Sequence, residues 1–94
     1  MPYILKSDRR RLDPEIEKLA LDVRSWGDIN YIITRILKIY IQRIGKCYEN
    51  LNACIGVLEC AKSEFYRRYI APYEDTKIQE NGDVKLIDLK KGDL

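Results

Sequence analysis

The sequence predicts an all-α fold: a compact three-helix domain with a short fourth helix or ordered C-terminal segment, in an oligomeric protein. Three observations carry that expectation. Apolar residues recur at helical spacing in three segments. Gly27 and Gly45 punctuate those segments. The middle segment carries more apolar surface than two neighbours can cover in a chain of 94 residues.

The chain reads as a single domain over residues 1–94, with an arm over 1–12, a helical core over 13–80 and a tail over 81–94. The first helix is expected to start at Asp13, with Asp13 as cap, Pro14 in the first turn, and Glu15 and Glu17 complementing the helix dipole. Ile16, Leu19, Ala20 and Val23 then fall on one face. Gly27 is expected to stop this helix and Asp28 to cap the next. So short a connection predicts antiparallel neighbours.

The second helix is expected over Ile29 to Ile44. Its apolar positions cover roughly 200° of arc, against the ~100° or more of an ordinary surface helix. Isoleucine is β-branched, which favours a strand. The polar positions Thr34, Lys38 and Gln42 recur every fourth residue, however, which is a helical period. Gly45 ends the segment. Asn50 is the expected cap of a third helix from Leu51 to Ile70, with a stripe of Leu51, Cys54, Ile55, Leu58, Phe65 and Tyr69. Pro72 is expected to stop it and to begin a short fourth helix through Glu80, with Asn81 and Gly82 as its end. Val84, Leu86 and Ile87 could pair as a strand with Tyr3, Ile4 and Leu5.

Composition excludes several functions. Seventeen basic and fifteen acidic side chains leave a net charge of +2, too balanced for a general nucleic-acid binder. Arg9, Arg10 and Arg11 read as a solvated lead-in to the first helix, with phosphate contact as the alternative. The stretch from Ile29 to Ile44 is too interrupted by polar residues to span a bilayer. Cys47, Cys54 and Cys60 are odd in number and lack Cys-x-x-Cys spacing, so they read as reduced thiols of a cytoplasmic protein. The chain has no histidine, which removes the usual general base and metal ligand. No phosphate loop, zinc spacing or calcium loop is present. The expectation is no enzyme, no metal and no cofactor.

One block does carry chemistry. Lys62, Tyr66, Arg67, Arg68 and Tyr73 place rings beside cations near the end of the third helix. Arginine can grip phosphate and tyrosine can stack on a base. Pro72 is expected to fold Tyr73 and the Glu74–Asp75 pair back towards that end. The structural alternative is a plain helix terminus, with Glu64 and Arg68 as a surface pair and the cations near the C-terminal dipole. Lys62 falls within the apolar stripe and either pairs with Glu59 or lines a pocket beside Tyr66.

The run Ile55 to Lys62 with Phe65-Tyr66-Arg67-Arg68, then Ala71-Pro72-Tyr73-Glu74-Asp75 and Glu80-Asn81-Gly82-Asp83-Val84, resembles a family of short uncharacterised proteins of bacterial viruses and bacterial genomes. Met1-Pro2-Tyr3-Ile4 and Gly27-Asp28-Ile29-Asn30-Tyr31, with Thr34-Arg35, resemble the same family, and the tail from Lys85 departs from it. The resemblance implies a phage or prophage context and a compact helical fold, with no catalytic residue to transfer. Three functions stand as expectations. The first is a non-catalytic, oligomeric binder of an anionic nucleotide-like ligand, which in a phage would sequester a host defence signal. The second is a protein-interaction or structural accessory protein. The third is a nucleic-acid binder.

Overall fold

A computed structural model of the chain describes residues 1–87. The described residues are all-α, as expected, and contain no strand. Helix α1 spans Lys6–Leu21, α2 Trp26–Ile44, α3 Tyr48–Phe65 and α4 Ala71–Asn81, with a π-helical turn, Tyr66–Ile70, joining α3 to α4. The chain divides into two units, Met1–Ala61 and Lys62–Leu94.

In the first unit, α1 starts seven residues before Asp13, so that Asp13 and Pro14 lie inside the helix rather than at its head. The residues before Pro14 supply their own start. Asp8 puts a negative charge in the first turn, where the helix dipole favours it. Arg9 donates from Nε to the Ile4 carbonyl at 2.9 Å, and Arg11 reaches Asp8 at 3.5 Å. The basic run is therefore part of α1 and not a lead-in. Pro14 cannot donate to the Arg10 carbonyl, and the good helix formers around it carry the helix past that gap.

Gly27 does not stop α1, which already ends at Leu21. Ser25 rather than Asp28 caps α2: its extended backbone (φ −154°) lets its hydroxyl accept from the Asp28 N–H at 3.1 Å. Asp28 reaches back to the Arg24 N–H at 2.9 Å, so each residue satisfies a backbone donor near the start. Gly27 sits within the first turn. Gly45 does end α2, at φ +109°, where a side chain would be strained. Its N–H donates to Ile41 at 2.8 Å, and Asn50 donates from Nδ2 to the Gly45 carbonyl at 2.9 Å. Asn50 thus ties the turn from inside α3 instead of capping that helix, which begins at Tyr48.

In the second unit the expected break at Pro72 is absent. Pro72 lacks an N–H and its ring crowds the carbonyl four residues back. The backbone widens by one π-turn, in which the Ala71 N–H reaches the Tyr66 carbonyl, and the helix continues. Pro72 then falls in the opening turn of α4, where a missing N–H costs least. The end at Asn81 and Gly82 is as expected, with Gly82 at φ +85°. Val84, Leu86 and Ile87 are exposed and unpaired with any strand. The tail beyond residue 87 lies outside the described residues.

No described residue is buried. Ile16, Leu19 and Ala20 of α1 line one apolar groove with Ile29, Ile32 and Ile33 of α2, so these two helices are neighbours. The most covered apolar residues are half-buried: Val23, Ile32, Leu37, Ile41, Cys54 and Ala71.

Candidate functional site

Two stretches present surfaces that could bind something. The Tyr–Arg block lies in the second unit. Lys62 is in the last turn of α3, Tyr66, Arg67 and Arg68 are in the π-turn, and Tyr73 is in the first turn of α4. Because the helix continues through Pro72, Tyr73 is carried onward and not folded back. At ~1.5 Å per residue it lies about 10 Å along the axis from Tyr66. The one-residue insertion of the π-turn also rotates the residues after it by ~100° relative to an unbroken α-helix. The five side chains are therefore strung along the helix and do not converge on one point.

Their charges are partly answered locally. Arg67, not Arg68, pairs with Glu64: the fork closes at 2.7 Å from Nη2 and 3.3 Å from Nε. Glu64 is only 21% exposed, so this pair is held at a more sheltered point than most on the chain. Phe65 and Tyr69 stack at 4.8 Å. Lys77 lies over the Tyr73 ring at 5.5 Å and pairs with Glu80 at 3.1 Å. Tyr66 and Tyr73 keep more than half of their surface in solvent, and Arg68 is exposed. The stretch can present aromatic faces and a cation to an incoming group, while the Arg67 fork is already occupied.

The second surface is on α2 and is apolar. Ile33, Ile36, Ile39, Tyr40 and Ile44 are all exposed, with Ile36 at 57%. Arg43 lies over the Tyr40 ring at 5.0 Å at the edge of this face. Ile16 and Leu19 of α1, with Val23 just beyond it, form one wall of an apolar groove, and Ile29, Ile33 and Ile36 form the other. Sequence reasoning found the excess apolar arc but not which part of it stays uncovered. Ile41 is among the half-covered residues, and Ile36 is the more exposed. It also passed over Trp26, which is 86% exposed at the first position of α2. The Ser-x-x-Asp cap was the signal that would have placed it there.

Cys47 and Cys60 are exposed thiols and Cys54 is half-buried. No cluster of metal-ligating side chains occurs among the described residues. None of the described helices is long and apolar enough to cross a membrane. No curated protein and no solved structure matches the chain. A family model does match, over residues 1–84, and the chain belongs to that family, the domain of unknown function DUF6899.

Proposed function

We propose that this protein is a non-catalytic interaction protein that works as a homo-oligomer, its helices contributing apolar faces to a core shared between chains. One observation carries this reading: no described residue is buried, although 46% of the chain is hydrophobic. Apolar area left in water is the main driving force for association. The absence of histidine from the sequence supports a binding role over acid–base catalysis. Light scattering across micromolar concentrations tests the reading. A mass that is a multiple of 11.1 kDa is expected, and a monomer with a full helical spectrum would remove it.

A second reading is favoured by the exposed rings of Tyr66 and Tyr73, on a helical stretch that also carries Lys62 and Arg68. In it, the oligomer brings two such stretches together around an anionic, nucleotide-like ligand. The phage resemblance would make that ligand a host defence signal in the cytoplasm of the infected cell. Stacking contributes about 1–3 kcal/mol per base. Calorimetry with mononucleotides and cyclic dinucleotides decides it: heat that disappears on Tyr66→Ala or Arg68→Ala supports it, and no heat with the wild type rejects it.

A further inference from the structure

We propose that the polar side of α2, which carries Tyr31, Arg35, Lys38 and Gln42, is a binding surface for single-stranded nucleic acid. The near-neutral charge of the whole chain conceals a segregation. From Ile29 to Tyr48 the sequence holds Arg35, Lys38, Arg43 and Lys46 and no acidic residue. Those four cations exceed the net +2 of the whole chain, so the remainder is net acidic. Helix α2 is thus a basic helix in an otherwise slightly acidic protein, and a polyanion is drawn to it over the rest of the surface.

At ~100° per residue, Tyr31, Arg35, Lys38 and Gln42 fall within an arc of ~60°, and at ~1.5 Å per residue they span about 16 Å of the helix. All four are exposed, Tyr31 to 65%. This side lies ~100° to ~160° around the helix from Ile36. The inference goes beyond the homo-oligomer reading and does not rest on it, because a partner chain seated on the isoleucine face leaves this side open.

The two cations are also unengaged. Among the described residues, Arg35 and Lys38 have no hydrogen bond or ion pair. Arg9, Arg11, Arg24 and Arg67, by contrast, are each tied to a carbonyl or carboxylate of their own chain. The Arg35 guanidinium keeps its paired donors for a phosphate, which it can hold through two parallel bonds. Lys38, one turn on, supplies a second charge along the strand. Tyr31, one turn before Arg35, offers a ring face on which a base can stack. The two carboxylates that share a groove with Tyr31 are tied to Arg24: Asp22 pairs with its guanidinium at 3.9 Å, and Asp28 accepts from its backbone N–H at 2.9 Å. An acidic protein segment would use the cations but give the ring no role. A ring in line with two cations suits a strand that has both phosphates and bases.

The test is fluorescence anisotropy of the full chain with a fluorescein-labelled poly(U) strand and its poly(dT) counterpart, titrated from low to high salt. Binding that weakens with salt is expected. Arg35→Gln and Lys38→Gln are each expected to weaken it several-fold and to lower the slope of log K against log salt by ~0.7, the share of one phosphate contact on a single strand. Arg35→Lys keeps the charge and is expected to keep the slope. Tyr31→Ala is expected to weaken binding about tenfold with the slope unchanged, because stacking releases no counterions. Lys18→Gln, which removes a cation of α1 set beside Glu15 and Asp22, is expected to change neither. Failure of both strands to bind at low salt overturns the proposal, as does binding that Arg35→Gln and Lys38→Gln leave unchanged. Displacement by polyglutamate as readily as by unlabelled strand, together with unaltered binding by Tyr31→Ala, also overturns it and makes this side of α2 a docking surface for an acidic protein.

Discussion

Two stretches of this chain face solvent, and they differ in what they offer it. Along α2, Ile33, Ile36 and Ile39 are exposed with no polar group to satisfy. From Lys62 to Glu80, Ile70 and Ile78 are exposed too, but they sit among charged and aromatic side chains that engage each other: Arg67 with Glu64, Phe65 with Tyr69, Lys77 with Glu80. The second stretch is already at home in water. The first is not, because each isoleucine side chain left exposed forgoes about 1.5–3 kcal/mol. Exposure therefore means different things in the two places. On α2 it marks the surface that the proposed self-association would cover. In the Tyr–Arg stretch it is that of an ordinary wet helix.

The comparison is broken most severely at its apolar end. A double variant Ile33→Asp, Ile36→Asp is expected to lose its oligomer and much of its helicity, since charges cannot be buried unpaired between chains. Far-ultraviolet dichroism and scattering read both losses. Unchanged spectra and mass would mean that the α2 face is as comfortable in water as the Tyr–Arg stretch.

Pro72→Ala acts on the other stretch. It supplies the absent N–H and removes the ring clash, so it is expected to stabilise the helix by up to ~3 kcal/mol and to restore α-helical phase through residues 66–70. Amide hydrogen exchange around Ala71 reports the change. Slower exchange is expected, and no change would separate the π-turn from its assigned cause.

The glycines sharpen the contrast between a real turn and an apparent one. Gly45→Ala must hold a side chain at φ +109° and is expected to cost about 1–2 kcal/mol. Gly27→Ala adds a methyl group 3.5 Å from the Ser25 hydroxyl, an ordinary contact within a helix, and is expected to gain about 0.5–1 kcal/mol. Thermal melts of the two variants should move in opposite directions.

The smallest effect belongs to the polar pair. Arg67→Ala is expected to cost about 0.2–1 kcal/mol, because the pair is one turn apart on a helix and its arginine is 63% exposed. A double-mutant cycle measures the coupling. A larger value would mean that the stretch is less solvated than its surroundings indicate.

The helical periods and the Gly45 and Gly82 turns were legible because each arises from local chemistry: a repeating apolar face, then a residue that alone tolerates positive φ. Pro14 and Pro72 misled for a shared reason. Proline is a strong stop signal, but its effect depends on whether the backbone can reroute the lost hydrogen bond. A π-turn does so before Pro72, and strong helix formers surround Pro14. Ser25 was missed as a cap because Gly27 drew the boundary two residues too late. The Arg67–Glu64 pairing was not legible because i,i+3 and i,i+4 partners compete and the inserted residue alters the phase nearby. The excess apolar arc of α2 was visible in the sequence, but which side of it stays uncovered depends on packing that spacing alone does not determine.

The most direct test of the central claim, that this chain shares its core with another copy, is sedimentation equilibrium of the wild type across the micromolar range. The account predicts a multiple of the 11.1 kDa chain mass, with helicity that falls together with the oligomer on dilution. A mass of 11.1 kDa at every concentration, with the helical spectrum intact, would contradict it.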